Sequence, residues 1–194
     1  MTQMASRVET SEQEDVVALL MRQHGDIRNL FDEVERSTGD DRRSAFRSLV
    51  QLLAVHETAE QEVVHPYVRG LFDGGDGVVD DRLAEERAAK EQLSRLDGMD
   101  PAAPGFMTEL KQLRTAVTRH ARAEERYEFA QIRRRADPKR LAALARGVKA
   151  AEAMAPTRPH PRVQGAAANL AAGPVAALID RTRDAIRRAM GSDG

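Results

Sequence analysis

His56 and Glu60 stand four residues apart in the run AFRSLVQLLAVHETAEQEVVHPYVR, and His120 and Glu124 repeat that spacing in HARAEERYEFAQIR. Residues i and i+4 share one face of a helix, about a turn apart. Each pair can therefore offer an imidazole nitrogen and a carboxylate to one cation, or bridge two cations with the carboxylate. One such pair alone is weak evidence, because His and Glu meet at this spacing on many helix surfaces. Here there are two, on stripes that otherwise hold apolar residues, and His24 adds a third imidazole inside EDVVALLMRQHGDIRNLFDEVERS. Imidazole and carboxylate without sulfur suit iron, manganese or zinc. Two carboxylates able to bridge favour a dinuclear centre, and bound cations remove the cost of burying them.

The elements that must position these groups read as helices throughout. Val16, Leu19, Leu20, Ile27, Leu30, Phe31 and Val34 recur at helical spacing in a first helix, which TGDD breaks. A second runs from about Arg42 to Arg69, with Phe46, Leu49, Leu53, His56, Glu60 and Val63 on one stripe and Pro66 loosening its last turn. DGGDG leads into a third, VVDDRLAEERAAKEQLSRLDG, and MDPAAPG into a fourth, FMTELKQLRTAVTRHARAEERYEFAQIRRRA. No strand pattern competes. Four long amphipathic helices with short connections predict an all-α fold, an antiparallel up-down four-helix bundle with additional C-terminal helices.

The expected organisation is a disordered tail over 1–13, the bundle over 14–136, and a helical extension with a Pro-rich linker over 137–194. In that extension Asp137 caps a helix opened by Pro138. A last basic segment, PVAALIDRTRDAIRRAM, carries Val175, Leu178, Ile179, Thr182 and Ile186 on one side. Its narrow stripe, interrupted by Asp180 and Asp184, reads as a cover for the bundle or a homodimer contact rather than a membrane-surface helix.

The chain also repeats itself. Laying the second helix over the fourth puts His56 on His120, Glu60 on Glu124, Val68 on Ile132 and Arg69 on Arg133. The first over the third pairs Arg28 with Lys90 and so His24 with Glu86. Two related hairpins facing each other could surround a pair of ions.

Composition narrows the function. Among 194 residues there is no Cys, which excludes disulfides, thiolate metal sites and a cysteine nucleophile. No run is long enough to span a bilayer and no signal peptide is visible, so the expectation is a cytoplasmic protein without integral membrane association. Residues 1–110 carry 12 Lys/Arg against 23 Asp/Glu (−11), and residues 111–194 carry 18 against 8 (+10). Attraction between the halves accounts for this split. No aromatic interleaving or nucleic-acid motif accompanies the arginines, so nucleic acid is not an expected partner.

Taken together, His24, HETAE, HARAE and the flanking EQEVVHPYVR resemble bacterial hemerythrin-like proteins with HHE cation-binding domains, over about residues 14–135. The resemblance implies a four-helix bundle with a non-haem centre of two iron ions, joined by an oxo or hydroxo bridge. It implies a small-molecule partner: O₂, H₂O₂ or nitric oxide. Carried over by position, His24, His56, Glu60, His120 and Glu124 would be ligands, with Glu60 and Glu124 the bridges. The family usually has a His on the third helix four residues before a Lys. Here Glu86 stands four before Lys90, and the reading takes Glu86 as a replacement ligand, with Glu85 or no ligand as alternatives. A third carboxylate would favour the ferric state, and with it oxidase or peroxide-disproportionating chemistry over reversible O₂ carriage.

Tyr127, three residues after Glu124, and Tyr67, seven after Glu60, are candidates for contact with the metal or its surroundings, against the plainer reading of bundle-core tyrosines. His65, just before Pro66, reads as structural or exposed, and His160 in RPHPR is given no metal role. The competing functional class is an interaction bundle whose His/Glu set is a buried polar network, or a site for a different divalent metal.

Overall fold

A computed structural model describes residues 15–154 and 173–191. The described residues form helices and no strand. Helix α1 (Val16–Arg36) opens on Asp15, whose carboxylate accepts the Ala18 N–H at 2.8 Å. Helix α2 (Gly39–Ala59) continues without a break through a π-helical turn, Glu60–Val64, into α3 (His65–Arg69). Helix α4 spans Gly75–Asp97. Helix α5 (Phe106–Glu124) likewise passes through a π-helical turn, Glu125–Phe129, into α6 (Ala130–Arg135). These four rods pack as the antiparallel up-down bundle that the periodicity predicts, with α1 against α2 and α5, and α4 against α3 and α5.

The second rod departs from a plain helix where Pro66 sits. A proline has no N–H to give, and its ring would meet the carbonyl four residues back. The chain answers one step earlier: the His65 N–H bonds to the Glu60 carbonyl, five residues back, which opens the turn before the proline. The rod then ends at Gly70, and Gly75 passes so close to α3 that a Cβ there would lie 2.5 Å from the Val68 carbonyl oxygen. Gly74, with φ +89°, turns the chain into α4 in the left-handed region that favours glycine.

Two apolar cores occupy the two ends of the bundle. One gathers Ile27, Phe31, Phe46, Leu49, Leu53, Leu96, Phe106, Leu110 and Leu113, with the Phe46 and Phe106 rings edge to face at 5.1 Å. The other gathers Val16, Leu19, Leu20, Val55, Val63, Val64, Val79, Phe129 and Ile132. Along each rod the His and Glu residues fall between these two cores, so the sequence positions fix a polar layer across the middle of the bundle.

The second core is completed by α7 (Pro138–Glu152) and α8 (Gly173–Gly191), which pack on each other and on α1 and α2. Asp137 caps α7 by accepting the Arg140 N–H at 2.9 Å. Leu144, Val148 and Ala151 from α7, with Leu178 and Ile186 from α8, are buried there; each large aliphatic side chain so buried stabilises the fold by about 1.5–3 kcal/mol. Gly147 makes the approach possible, since a Cβ on it would lie 3.0 Å from a Val63 methyl and 2.9 Å from the Met190 sulfur. The α8 stripe faces inward through Leu178, Thr182 and Ile186, while Ile179 packs at its edge. Val175 lies outside the described side chains, and His160 outside the described residues.

Ion pairs join the acidic and basic halves: Arg114 to Asp32 at 2.7 Å and Glu35 at 2.8 Å, and Arg183 to Glu62 at 2.8 Å. No described helix is long and apolar enough to cross a membrane.

Candidate metal centre

In the polar layer, His24 from α1, His56 and Glu60 from the second rod and Glu124 from α5 bring one donor atom each within 4.8 Å of one another. Glu60, Glu86 from α4 and His120 from α5 form a second such group. Glu60 belongs to both. Glu124 also reaches both, with one oxygen 3.3 Å from His24 Nε2 and the other 3.2 Å from His120 Nε2. His56 Nε2 lies 3.3 Å from Glu60 Oε1, and His24 Nε2 lies 4.0 Å from the same oxygen. The i,i+4 spacing of both His-x-x-x-Glu pairs delivers the convergence expected of a shared helix face.

The outward nitrogens are anchored. His56 Nδ1 meets the Gln23 carboxamide oxygen at 2.7 Å, His24 Nδ1 meets Glu125 at 2.9 Å, and His120 Nδ1 meets Glu85 at 3.1 Å. An imidazole that donates its Nδ1–H to an oxygen keeps the Nε2 lone pair for the other side, as in carboxylate–histidine–metal arrangements. Here that other side is the centre. The side-chain rings of His24 and His56 stand edge to face at 5.0 Å, and Phe129 stacks on His24 at 5.6 Å.

Inside, hydrogen bonding is incomplete. His24 Nε2, His120 Nε2, both Glu60 oxygens and Glu124 Oε2 are buried and make no hydrogen bond. Glu60 is 0% exposed and Glu124 1%. Unpaired buried carboxylates of this kind are costly. The orphaned atoms converge, and they are the donor types that iron, manganese and zinc take. The residues present fit bound cations.

Titration behaviour follows the same crowding. Burial, reinforced by the Glu124 charge, pushes the Glu60 carboxyl well above the usual range. Burial and the neighbouring His24 push His56 down to about 3. Burial opposes a charge on His120, but Glu124, Glu85 and Glu86 outweigh it and hold it up at about 9. Glu124 is drawn well below its ordinary value: burial works against this, and His120 and His24 overcome it. A cation bound here would therefore displace protons.

Beside the centre lies a small, mostly apolar cavity with about 20 Å³ of room for the centre of a water-sized molecule. His24, His56, Glu86 and His120 form its inner wall, and Ile27, Phe31, Leu53, Ala89, Val117 and Ala121 much of the rest. That is space for a molecule of two or three atoms. Glu57, which also lines it, is pushed up to about 7 by burial against the pull of Lys90, whose Nζ lies 3.5 Å away.

Sequence reasoning brings His24, His56, Glu60, Glu86, His120 and Glu124 to one layer, and the structure gathers all six. The tyrosines are different. Tyr127 is 50% exposed with the Arg126 guanidinium over its ring, and Tyr67 packs beneath Arg140. Neither makes a hydrogen bond or ring contact with the six, because the π-helical turn after Glu124 rotates Tyr127 outward.

Of the two readings of His65, structural or exposed, the burial excludes the second. His65 is 2% exposed and joins Glu86 at 2.7 Å and Glu128 at 3.2 Å; burial opposes its charge, yet these partners hold it up at about 9. The sequence pattern does not mark Gln23, Glu125 or Glu128, and Glu85, the alternative ligand to Glu86, meets the outer nitrogen of His120 instead. The acidic doublets at 85–86 and 124–125 were the available signal, one member turned inward and its neighbour to an outer imidazole nitrogen. Glu128, 0% exposed, carried none.

Comparison with known proteins agrees with this arrangement. The family description "Hemerythrin HHE cation binding domain" matches residues 15–132. A DNA nickase of Nostoc sp. (strain PCC 7120 / SAG 25.82 / UTEX 2576) is 32% identical over 111 residues, which are 57% of this chain and 31% of that protein. The chain thus spans less than a third of that relative's length. A crystal structure of a hemerythrin HHE cation binding domain-containing protein from Mycobacterium kansasii superposes with a TM-score of 0.60 at 18% identity, covering 93% of this chain and 94% of that one. At that identity the likeness is one of fold.

Proposed function

The chain belongs to the hemerythrin HHE cation binding domain family, and from that premise we propose that it is a di-iron protein that binds or reacts with O₂, peroxide or nitric oxide. The observation that supports this best is the pair of His/Glu groups sharing Glu60, with unbonded buried nitrogen and oxygen atoms converging between them. His24 and His56 would hold one ion and His120 and Glu86 the other, with Glu60 and Glu124 common to both. Iron held in this way supplies one-electron steps and a coordination position for a small oxidant or for nitric oxide.

The chain's own residues set the conditions. Gln23, Glu125 and Glu85 fix the three imidazoles with Nε2 inward. The cavity beside them is small and mostly apolar, which suits a small molecule. Glu86, in place of an imidazole, adds negative charge, which favours the ferric state. That balance supports oxidative chemistry, such as peroxide disproportionation, over reversible O₂ carriage.

Elemental analysis of protein from iron-replete cells tests the reading: about two irons per chain are expected. Two zinc or manganese ions instead would support a site for another divalent metal. No metal, with an unchanged melting curve after chelation, would leave a buried His/Glu network. Evolution of O₂ from added peroxide by the iron-loaded protein, against stable and reversible O₂ uptake, separates enzyme from carrier or sensor.

A further inference from the structure

We infer that His65 is a metal ligand, the imidazole of the second ion position that helix α4 does not supply. The inference rests on the two-ion reading above and deepens it. In that reading the first position has two imidazoles, His24 and His56, while the second has His120 alone beside Glu86. His65 restores the balance, and it comes from the second rod rather than the third.

The placement is a product of the π-helical turn. In an ordinary helix a residue five after Glu60 would point well away from it. With the His65 N–H bonded to the Glu60 carbonyl, the two residues stand one wide turn apart, and the imidazole reaches Glu86. The imidazole is 2% exposed and bounded by buried carboxylates on both sides.

Its surroundings resemble those of the other three histidines, except that its Nε2 already bonds Glu86 while His24 and His120 Nε2 make no hydrogen bond. Each of those has Nδ1 on an outer oxygen, from Gln23, Glu125 or Glu85, and Nε2 beside a carboxylate of the centre. His65 has Nδ1 at 3.2 Å from Glu128 Oε2 and Nε2 at 2.7 Å from Glu86 Oε1. Two donors on adjacent octahedral corners, each about 2.1 Å from an ion, lie about 3 Å apart. The His65–Glu86 separation belongs to that range, as do the 3.2–3.3 Å separations of the other pairs. Glu128 is 0% exposed, with Oε2 on His65 and Oε1 making no hydrogen bond, and a buried carboxylate so placed fixes a tautomer. The rival role is a positioning one, in which His65 only donates a hydrogen bond to Glu86.

The two roles separate on the metal-free full-length chain titrated with cobalt(II), followed by its visible d–d absorption. The wild type is expected to take two equivalents. His65→Ala should weaken the second by more than about 100-fold, beyond the 10–100-fold typical of outer partners, and remove that ion's share of the absorption. Free imidazole added to His65→Ala should restore it. His65→Gln keeps the volume and an N–H donor for Glu86, so a positioning role predicts that it retains both ions, whereas a ligand role predicts the same loss as Ala. Two equivalents and an unchanged spectrum in His65→Gln would overturn the inference and leave the two-ion reading standing. A wild type that takes fewer than two equivalents would overturn both.

Discussion

The two rods that carry the His-x-x-x-Glu pairs match at the histidine and the glutamate and differ at most positions beyond them. Each has a histidine, a glutamate four residues on, and a π-helical turn that begins on that glutamate in one, Glu60–Val64, and one residue after it in the other, Glu125–Phe129. Five residues beyond the glutamate, the first rod has His65 and the second has Phe129. Phe129 stacks on His24 and closes the apolar core over it; His65 carries a polar link from Glu86 to Glu128. The same backbone device thus serves packing on one side of the centre and polar chemistry on the other. The repeat keeps its symmetry at His56 with His120 and at Glu60 with Glu124, and loses it five residues further on.

That contrast can be broken from its shared element outward. Glu60→Ala removes the carboxylate common to both groups, and iron content by elemental analysis should fall from about two per chain to near zero. His24→Ala and His120→Ala act on one side each; either should leave about one iron, and the Mössbauer doublet that survives should differ between the two variants.

A pH series on metal-free protein gives the next largest effect. His65 and His120 are raised to about 9 in the fold from an ordinary 6.5. A raised imidazole pKa stabilises fully below pH 6.5 and loses that contribution as pH climbs through about 9. His56, lowered to about 3, acts only below 6.5. The melting midpoint of the metal-free protein should therefore drop by several degrees between pH 6.5 and 9, while metal affinity rises over the same interval. In the loaded protein, where ligands hold no proton, the midpoint should not show that drop.

Smaller effects sharpen the other side. Phe129→Leu should keep both irons and cost about 1 kcal/mol in denaturant unfolding, from the lost ring stack and imperfect repacking. Tyr127→Phe should change stability by less than about 0.5 kcal/mol and leave the visible spectrum of the iron-loaded protein unaltered.

Much of this was readable in the sequence because helix periodicity is a strict ruler. Leu49, Leu53, His56 and Glu60 fall on one stripe at the regular repeat, and the stripe predicts both the bundle and the layer of ligands. The ruler fails where the helix changes pitch. Counting α-helical turns through a π-helical one places Tyr127 inward, whereas it stands half exposed. Glu128 is hidden for a further reason: a glutamate in an arginine-rich run reads as solvated surface, and its burial beside His65 depends on tertiary packing. The outer partners Gln23, Glu85 and Glu125 depend on contacts between rods, which a pattern along one rod does not encode. The charge split between halves, by contrast, foretold pairs such as Arg114 with Asp32 and Glu35.

The widened turn between Glu60 and His65 makes the centre depend on a length as well as on letters. Deleting one residue there, for instance Gln61, would leave every ligand type present in the sequence. Yet each helical residue turns the chain by about 100°, so His65, Val68 and the rest of α3 would swing off the faces they now occupy. Gly75 would lose the carbonyl it nestles against, and Val63 would lose its seat on Gly147. In this rod an insertion or deletion of one residue is a heavier change than most substitutions, and relatives that share the letters but not the count need not share the ligand set.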